Sequence, residues 1–349
     1  MKNLSYLALT AIFISCAGEP ENAIDPPSIE TAEMTADKAL WEKATTYFAA
    51  LPTTAENPEN VFTPEKNALG KMLFYDKRLS KNETQSCNTC HNLNTFGVDN
   101  LPTSPGDNGG FGDRNSPTVL NAALHFAQFW DGRMKDVEEQ AGGPIMNPVE
   151  MAIPSKQFLE KRLQGIEEYQ KMFAAAFPNE EQPITYLNIQ KAIATFERTL
   201  LTPSKWDKYL AGDQNQLNTE EKEGLKLFLD NNCTMCHIGE NLGGNMFQKF
   251  GLVHNYWEAT NSKSIDEGKK KVTGNDADQY IFKVPSLRNI AKTGPYFHDG
   301  SVATLDEAVK VMAKVQLDKD LSKEEVKSIV AFLNALTGEI PKNALLAEK

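Results

Sequence analysis

The feature that most constrains this chain is a five-residue pattern that occurs twice. Cys87-Asn88-Thr89-Cys90-His91 is answered by Cys233-Thr234-Met235-Cys236-His237. Thiols at i and i+3 lie on one face of a helical turn, where each can bond a vinyl group of the same haem. The histidine that follows is placed to ligate the iron from one side. A lone C-x-x-C pair reads equally as a redox dithiol or half of a zinc site. Histidine directly after the second cysteine in both copies favours two covalent c-type haems. The chain has five cysteines. Once four carry haem, Cys16 has no partner for a structural disulfide.

The likeness between the halves extends beyond these motifs. Glu65 to Phe74 matches Glu221 to Phe228, each running into its C-x-x-C-H. Further on, Ser116-Pro117-Thr118-Val119-Leu120-Asn121 matches Val284-Pro285-Ser286-Leu287-Arg288-Asn289. Phe129-Trp130-Asp131-Gly132 matches Phe297-His298-Asp299-Gly300, and proline to aspartate is 14 residues in both copies. The expected fold is all-α, with two tandem cytochrome c-like domains at 57–204 and 205–349. Helices are expected over 37–51, from Pro64 with Thr63 as N-cap through Phe74, and over 155–177, 185–200 and 219–229. Residues 100–117 read as a long loop, 206–213 as a link between the halves, and no strand pattern stands out.

The two copies differ where chemistry would. In the second, Thr304 and Glu307 open a helix that carries Met312, whose thioether can ligate haem iron. In the first, Asp136 and Glu139 open a helix at matching spacing, but Gly142-Gly143-Pro144 should end it. Pro144 falls at the position of Met312. Haem two is therefore expected to be held by His237 and Met312, and haem one by His91 with an open face. Met312 as a core methionine is the plain alternative. His298 is a rival ligand, but its counterpart is Trp130, which favours a structural or haem-edge role. Met146 and Met151 are the other candidates for haem one. Glu150, in GPIMNPVEM, could act as general acid/base over an open iron, or be a surface carboxylate. Gln140 is unremarkable by spacing. Trp130 is either core or an aromatic ring between the haems, and His125, in an apolar run, reads as a satisfied core histidine.

Net charge is −11 over 349 residues, which makes nucleic acid and anionic surfaces poor partners and predicts a basic patch on any docking protein. Lys2 and the apolar run Leu4–Ile14, too short to span a membrane, lead into Phe13-Ile14-Ser15-Cys16. That box resembles a lipoprotein cleavage site, with residues 1–16 the signal, Cys16 the acylated residue and 17–56 a tether with a helical extension. An ordinary signal peptide is the alternative. Either exports the chain to the periplasm.

From about Asn57 to Gly338 the chain resembles the bacterial dihaem cytochrome c peroxidases. The resemblance rests on LGKMLFYDKRLS, FWDGR, NPVEM, PYFHDG and VKSIVAFLNALTG. It implies reduction of hydrogen peroxide to water with electrons from a small cytochrome c or cupredoxin. The first haem would be the low-potential peroxidatic site and the second the high-potential entry site. By position, Gln140 and Glu150 match the family's distal pocket, Trp130 its inter-haem tryptophan and Met312 its axial methionine. Asn115, with the backbone oxygens of Thr293 and Pro295, matches a calcium site. Family members are commonly homodimers. One departure matters: many members carry a histidine in the loop after the first motif that caps the peroxidatic iron until the other haem is reduced. Here Asp107 stands in its place, and no histidine lies between His91 and His125. Haem one is therefore expected to be open in the oxidised protein. Two rival functions remain: a dihaem oxidase that matures a tryptophan-derived cofactor on another protein, whose relatives carry tyrosine in place of Met312, and a non-enzymatic electron-transfer cytochrome.

Overall fold

The computed structural model describes residues 29–346, so Cys16, the leader and most of the expected tether lie outside it. The chain is mostly helical, as expected. The first half contains α1 (Ile29–Thr45), α2 (Pro64–Tyr75), α3 (Cys87–Cys90), α4 (Val137–Met146), α5 (Lys156–Gln164), α6 (Glu167–Ala176) and α7 (Tyr186–Glu197). The second contains α8 (Lys205–Leu210), α9 (Thr219–Asp230), α10 (Tyr256–Thr260), α11 (Lys270–Thr273), α12 (Leu305–Leu317) and α13 (Lys323–Ala335). Strands β1 (Phe247–Lys249) and β2 (Ile281–Lys283) form one short antiparallel pair, which the sequence pattern did not announce. Three residues are too few to show a period of two.

Caps set the helix starts. Thr63 accepts from the Lys66 amide with Pro64 at the first helical position, where a missing N–H costs nothing. Asn218 and Glu221 satisfy each other's backbone amides at the start of α9. Two expected helices differ in extent. The one expected over 37–51 is already helical from Ile29 and stops at Thr45. The one expected over 155–177 breaks at Gly165, whose N–H turns back to the carbonyls of Lys161 and Arg162.

Each half has its own core, and the two are built alike. Leu69, Leu73 and Phe74 of α2 pack on Ile189, Ala192 and Phe196 of α7. Leu225, Phe228 and Leu229 of α9 pack on Ile329, Phe332 and Leu333 of α13. Each crossing is made at a glycine. A Cβ on Gly70 would lie 1.9 Å from the Ala192 carbonyl oxygen, and one on Gly224 would lie 1.8 Å from that of Ser328. Four residues on, Phe74 meets Phe196 edge-on at 5.3 Å and Phe228 meets Phe332 at 5.5 Å. The repeat holds in the backbone too. Asn121 and Asn289 both have φ 60°, and Phe129 and Phe297 have φ 67° and 70°. The bridges Gln128–Met134 and Tyr296–Val302 follow at equivalent places.

The ends of the described chain cross between the halves. Leu40, Trp41, Ala44 and Phe48 pack on the second core, and Trp41 Nε1 donates to the Tyr209 carbonyl at 3.0 Å. Ala344 and Leu345 pack on the first core, where Tyr75 Oη donates to the Ala344 carbonyl at 3.1 Å. The expected link at 206–213 is likewise more than a connection. Trp206 is fully buried in the second core, and Asp207 accepts two hydrogen bonds from the buried Arg288 guanidinium, at 2.6 and 2.9 Å.

Candidate active site

Each C-x-x-C-H motif lines its own cavity, about 400 Å³ for the first and about 250 Å³ for the second. Cys87, Cys90, Cys233 and Cys236 are all unbridged. Burial holds the His91 imidazole below its ordinary pKa, which keeps it neutral with a lone pair to give. His237 is more defined. Its Nδ1 lies 2.9 Å from the Leu242 carbonyl oxygen, so the proton sits on Nδ1 and Nε2 is left free to ligate. Two thiols, a neutral imidazole and a lined cavity in each half fit a covalent haem. In the second cavity Met312 adds a thioether.

The distal walls come from equivalent helices. Val137, Gln140, Ala141 and Pro144 of α4 line the first cavity, at helical spacing. Leu305, Ala308, Val309 and Met312 of α12 line the second at the same spacing. The first helix does not end at Gly142, as the sequence suggested; it runs through Pro144 to Met146. Pro144 stands in the last turn, where few hydrogen bonds remain to be broken. Tyr186 of α7 braces that turn by donating to the Gly142 carbonyl, and Gly142 leaves no room for a Cβ against Gln190. The consequence for the site stands: proline occupies the wall position that methionine holds in the other copy.

Past Met146 the chain folds back, with the Asn147 and Met151 amides both donating to the Pro144 carbonyl, and this hairpin brings Glu150 to the first cavity. Burial raises the Glu150 pKa above the ordinary carboxylate range, against the pull of Arg133 and a hydrogen bond from Asn147. Of the two spare methionines, Met151 lines this cavity from the first core, whereas Met146 packs against that core. His91 is the one histidine lining the first cavity among the described residues.

Asp107 does not line that cavity. It is 8% exposed, and its carboxylate accepts from the Asn82 amide at 2.8 Å and from Thr84 Oγ1 at 2.6 Å. Its own amide donates to the Glu150 carbonyl at 2.6 Å. Burial alone would raise its pKa, but the bonds from Thr84 and Asn82 hold it below the ordinary value. The loop at Asp107 is thus tied down beside Glu150 by a buried carboxylate.

Trp130 lies in a wall common to both cavities, together with Asn115, Ser116, Pro117, Thr118 and Phe129. Its indole N–H donates to the Asn115 carbonyl at 2.9 Å, and the Asn115 amide donates to the His298 carbonyl at 2.7 Å. His298 itself is buried, 2% exposed, and stacked on Phe282 with ring centroids 4.4 Å apart. Asn115, Thr293 and Pro295 all line the second cavity, and no carboxylate joins them among its lining residues. Arg114 fastens this wall, bonding Asp131 at 2.5 Å from its own half and Asp266 at 2.6 Å from the other.

Sequence reasoning missed one buried polar group and misread another residue. Glu197, at the end of α7, lines the first cavity. Burial and the neighbouring Glu138 push its carboxyl up to about 8, with Arg198 opposing. His125 is half-buried and not satisfied: its Nδ1 faces Lys283 Nζ at 3.0 Å and its buried Nε2 has no partner.

This arrangement is that of two cytochrome c-like units sharing one wall, and comparison with known proteins agrees. Residues 64–215 match the family model for di-haem cytochrome c peroxidase, and residues 221–337 match that for cytochrome c. The chain is 49% identical to a cytochrome c551 peroxidase of Nitrosomonas europaea over 83% of this chain and 84% of that one. It is 45% identical to the cytochrome c551 peroxidase of Pseudomonas aeruginosa over 87% and 88% of the two chains. Among solved structures it resembles a MauG-like protein associated with microbial copper homeostasis, with 31% identity, a TM-score of 0.75 and coverage of 83% and 94%. The chain belongs to the dihaem cytochrome c peroxidase family, which supports two c-type haems, and its two C-x-x-C-H motifs fit their attachment.

Proposed function

We propose that this protein is a periplasmic peroxidase that reduces hydrogen peroxide to two waters, consuming two protons and two electrons delivered by a small cytochrome c or cupredoxin. The observation that carries this reading is the asymmetry between two otherwise matching cavities. One wall offers Met312; the other offers Pro144 flanked by Gln140 and Glu150. When bound, the first haem would supply an iron for peroxide reduction and the second an electron store.

The chain's own residues do the rest. His91 would hold the first iron, and His237 with Met312 would hold the second. Glu150, its pKa raised by burial, takes a proton from the near oxygen of peroxide and returns it to the far oxygen as the O–O bond parts. Gln140 hydrogen-bonds the bound peroxide and orients it. Trp130, in the shared wall, provides an aromatic path between the haems. Asn115 with the carbonyls of Thr293 and Pro295 binds calcium and stiffens that wall. Cys16 carries a lipid anchor. The acidic surface selects a donor with a basic face, and the working form is a homodimer. A dihaem oxidase that matures a tryptophan-derived cofactor on another protein is the second reading, raised by the 31% identity to a MauG-like protein associated with microbial copper homeostasis; Met312 in the second wall speaks against it.

The test is Glu150→Gln with both haems attached. Peroxide turnover should fall about 10²–10⁴-fold, the usual contribution of a general acid/base. Carbon monoxide should still bind one of the two reduced haems. A variant with undiminished turnover removes Glu150 from the mechanism. Carbon monoxide binding to neither haem removes the peroxidase reading.

A further inference from the structure

Lys283, at the end of β2, is 6% exposed and lines the second cavity. No carboxylate pairs with it among the described residues; the group facing its Nζ is His125 Nδ1, at 3.0 Å. An ammonium has only donors, so His125 Nδ1 must accept, and the imidazole proton must sit on Nε2. That Nε2–H is buried and has no acceptor. A buried cation with no carboxylate partner, in the lining of this cavity, lacks an anion. A haem carries two carboxylates on its propionate arms, and its attachment residues line this same cavity. Burial has already pulled Lys283 down to about 8, so without an anion it would begin to lose its charge just above neutral pH.

The backbone adds direction. The Lys283 amide donates to the Trp130 carbonyl at 2.7 Å, so the strand that presents this cation is fastened to the wall between the two cavities. Lys283 also pairs across the β-ladder with Phe247, which closes over Gly132 just after Trp130.

We propose that Lys283, held in place by His125 Nδ1, binds a propionate carboxylate of the second haem and holds that edge of the haem against the segment carrying Trp130. This rests on the reading of the second cavity as a haem site and adds the residues that orient the group within it. Lys283 is then a positioning residue for transfer between the haems.

The test uses the holoprotein with two covalent haems verified by mass, as Lys283→Met, Lys283→Arg and His125→Leu. Resonance Raman reads the propionate bending modes, and redox titration reads the potential of the Met312-ligated haem. Lys283→Met should shift a propionate mode of that haem. It should also favour the oxidised form by about tenfold, roughly 59 mV for one electron. With its carboxylate unpaired, the potential should become pH-dependent near neutrality. Lys283→Arg should restore most of the wild-type behaviour, and His125→Leu should give an intermediate shift. Unchanged modes and potential in Lys283→Met overturn the proposal. So does a wild-type potential that follows chloride concentration, which would make the anion a solvent ion. A second motif that carries no haem would instead defeat the reading on which the proposal rests, and the mass measurement reports that separately.

Discussion

Replacing Gly224 by alanine tests the architecture at its tightest point. In an ordinary exposed helix this change stabilises by about 1 kcal/mol, because alanine is the better helix former. Here the new Cβ would lie 1.8 Å from the Ser328 carbonyl oxygen and 2.9 Å from Phe332 Cβ. Backbone atoms cannot swing aside as a side-chain tip can, so α9 and α13 must separate by about 1.5 Å to restore an ordinary contact. That loosens Phe228 from Phe332 and Leu225 from the same core. Overpacking of this kind costs about 1–3 kcal/mol or more, so the net change is a loss of about 2 kcal/mol rather than a gain. Gly70→Ala should behave alike in the first half, where the corresponding distance is 1.9 Å. Urea unfolding of the holoprotein, followed by the absorbance of each haem, measures both. Unchanged or increased stability in either variant would refute the close helix crossing and with it the structural repeat.

Two further predictions concern titration. Arg133 draws the Glu150 pKa down against burial. Arg133→Leu should therefore raise it further and move the acid limb of the pH–turnover profile to higher pH; a limb that stays put would separate Glu150 from that limb. Glu197 is raised to about 8 in the folded state, chiefly by burial. A carboxylate raised on folding binds its proton more tightly in the native chain, so stability falls as pH climbs from the ordinary glutamate range toward about 8. Glu197→Gln should abolish that fall, measured as melting temperature at pH values on either side; an unchanged pH dependence would contradict the buried, protonated acid.

What could be read from sequence was what a local pattern encodes. The C-x-x-C-H motifs, the capped helix starts and the repeated P-x-x-x-N elements fall where the sequence placed them, because caps and turns are set by neighbours in the chain. The alignment of Pro144 with Met312 likewise survives as equivalent wall positions. The expected stop at Gly142 did not, because Tyr186, more than forty residues away, braces the turn. The crossing of the chain ends was invisible for the same reason: nothing near Trp41 announces that its indole will meet the Tyr209 carbonyl. Asp107 was read as a missing histidine, a statement about what is absent. Its positive role, holding the loop to Asn82, Thr84 and Glu150, depends on contacts the sequence does not list. His125 was taken for a satisfied core residue because an apolar run predicts burial and says nothing about hydrogen-bond partners.

The central claim is that the first iron is open to peroxide without prior reduction of the second. Peroxide turnover with a reduced donor, started from fully oxidised and from half-reduced holoprotein, tests it directly. Equal and immediate activity from both is the predicted result, since the Asp107 carboxylate is bound to Asn82 and Thr84 rather than lining the first cavity, and among the described residues His91 alone contributes an imidazole to it. A lag confined to the oxidised sample would mean that another group caps the iron, with Met151 the first suspect. No turnover from either start would contradict the peroxidase account itself.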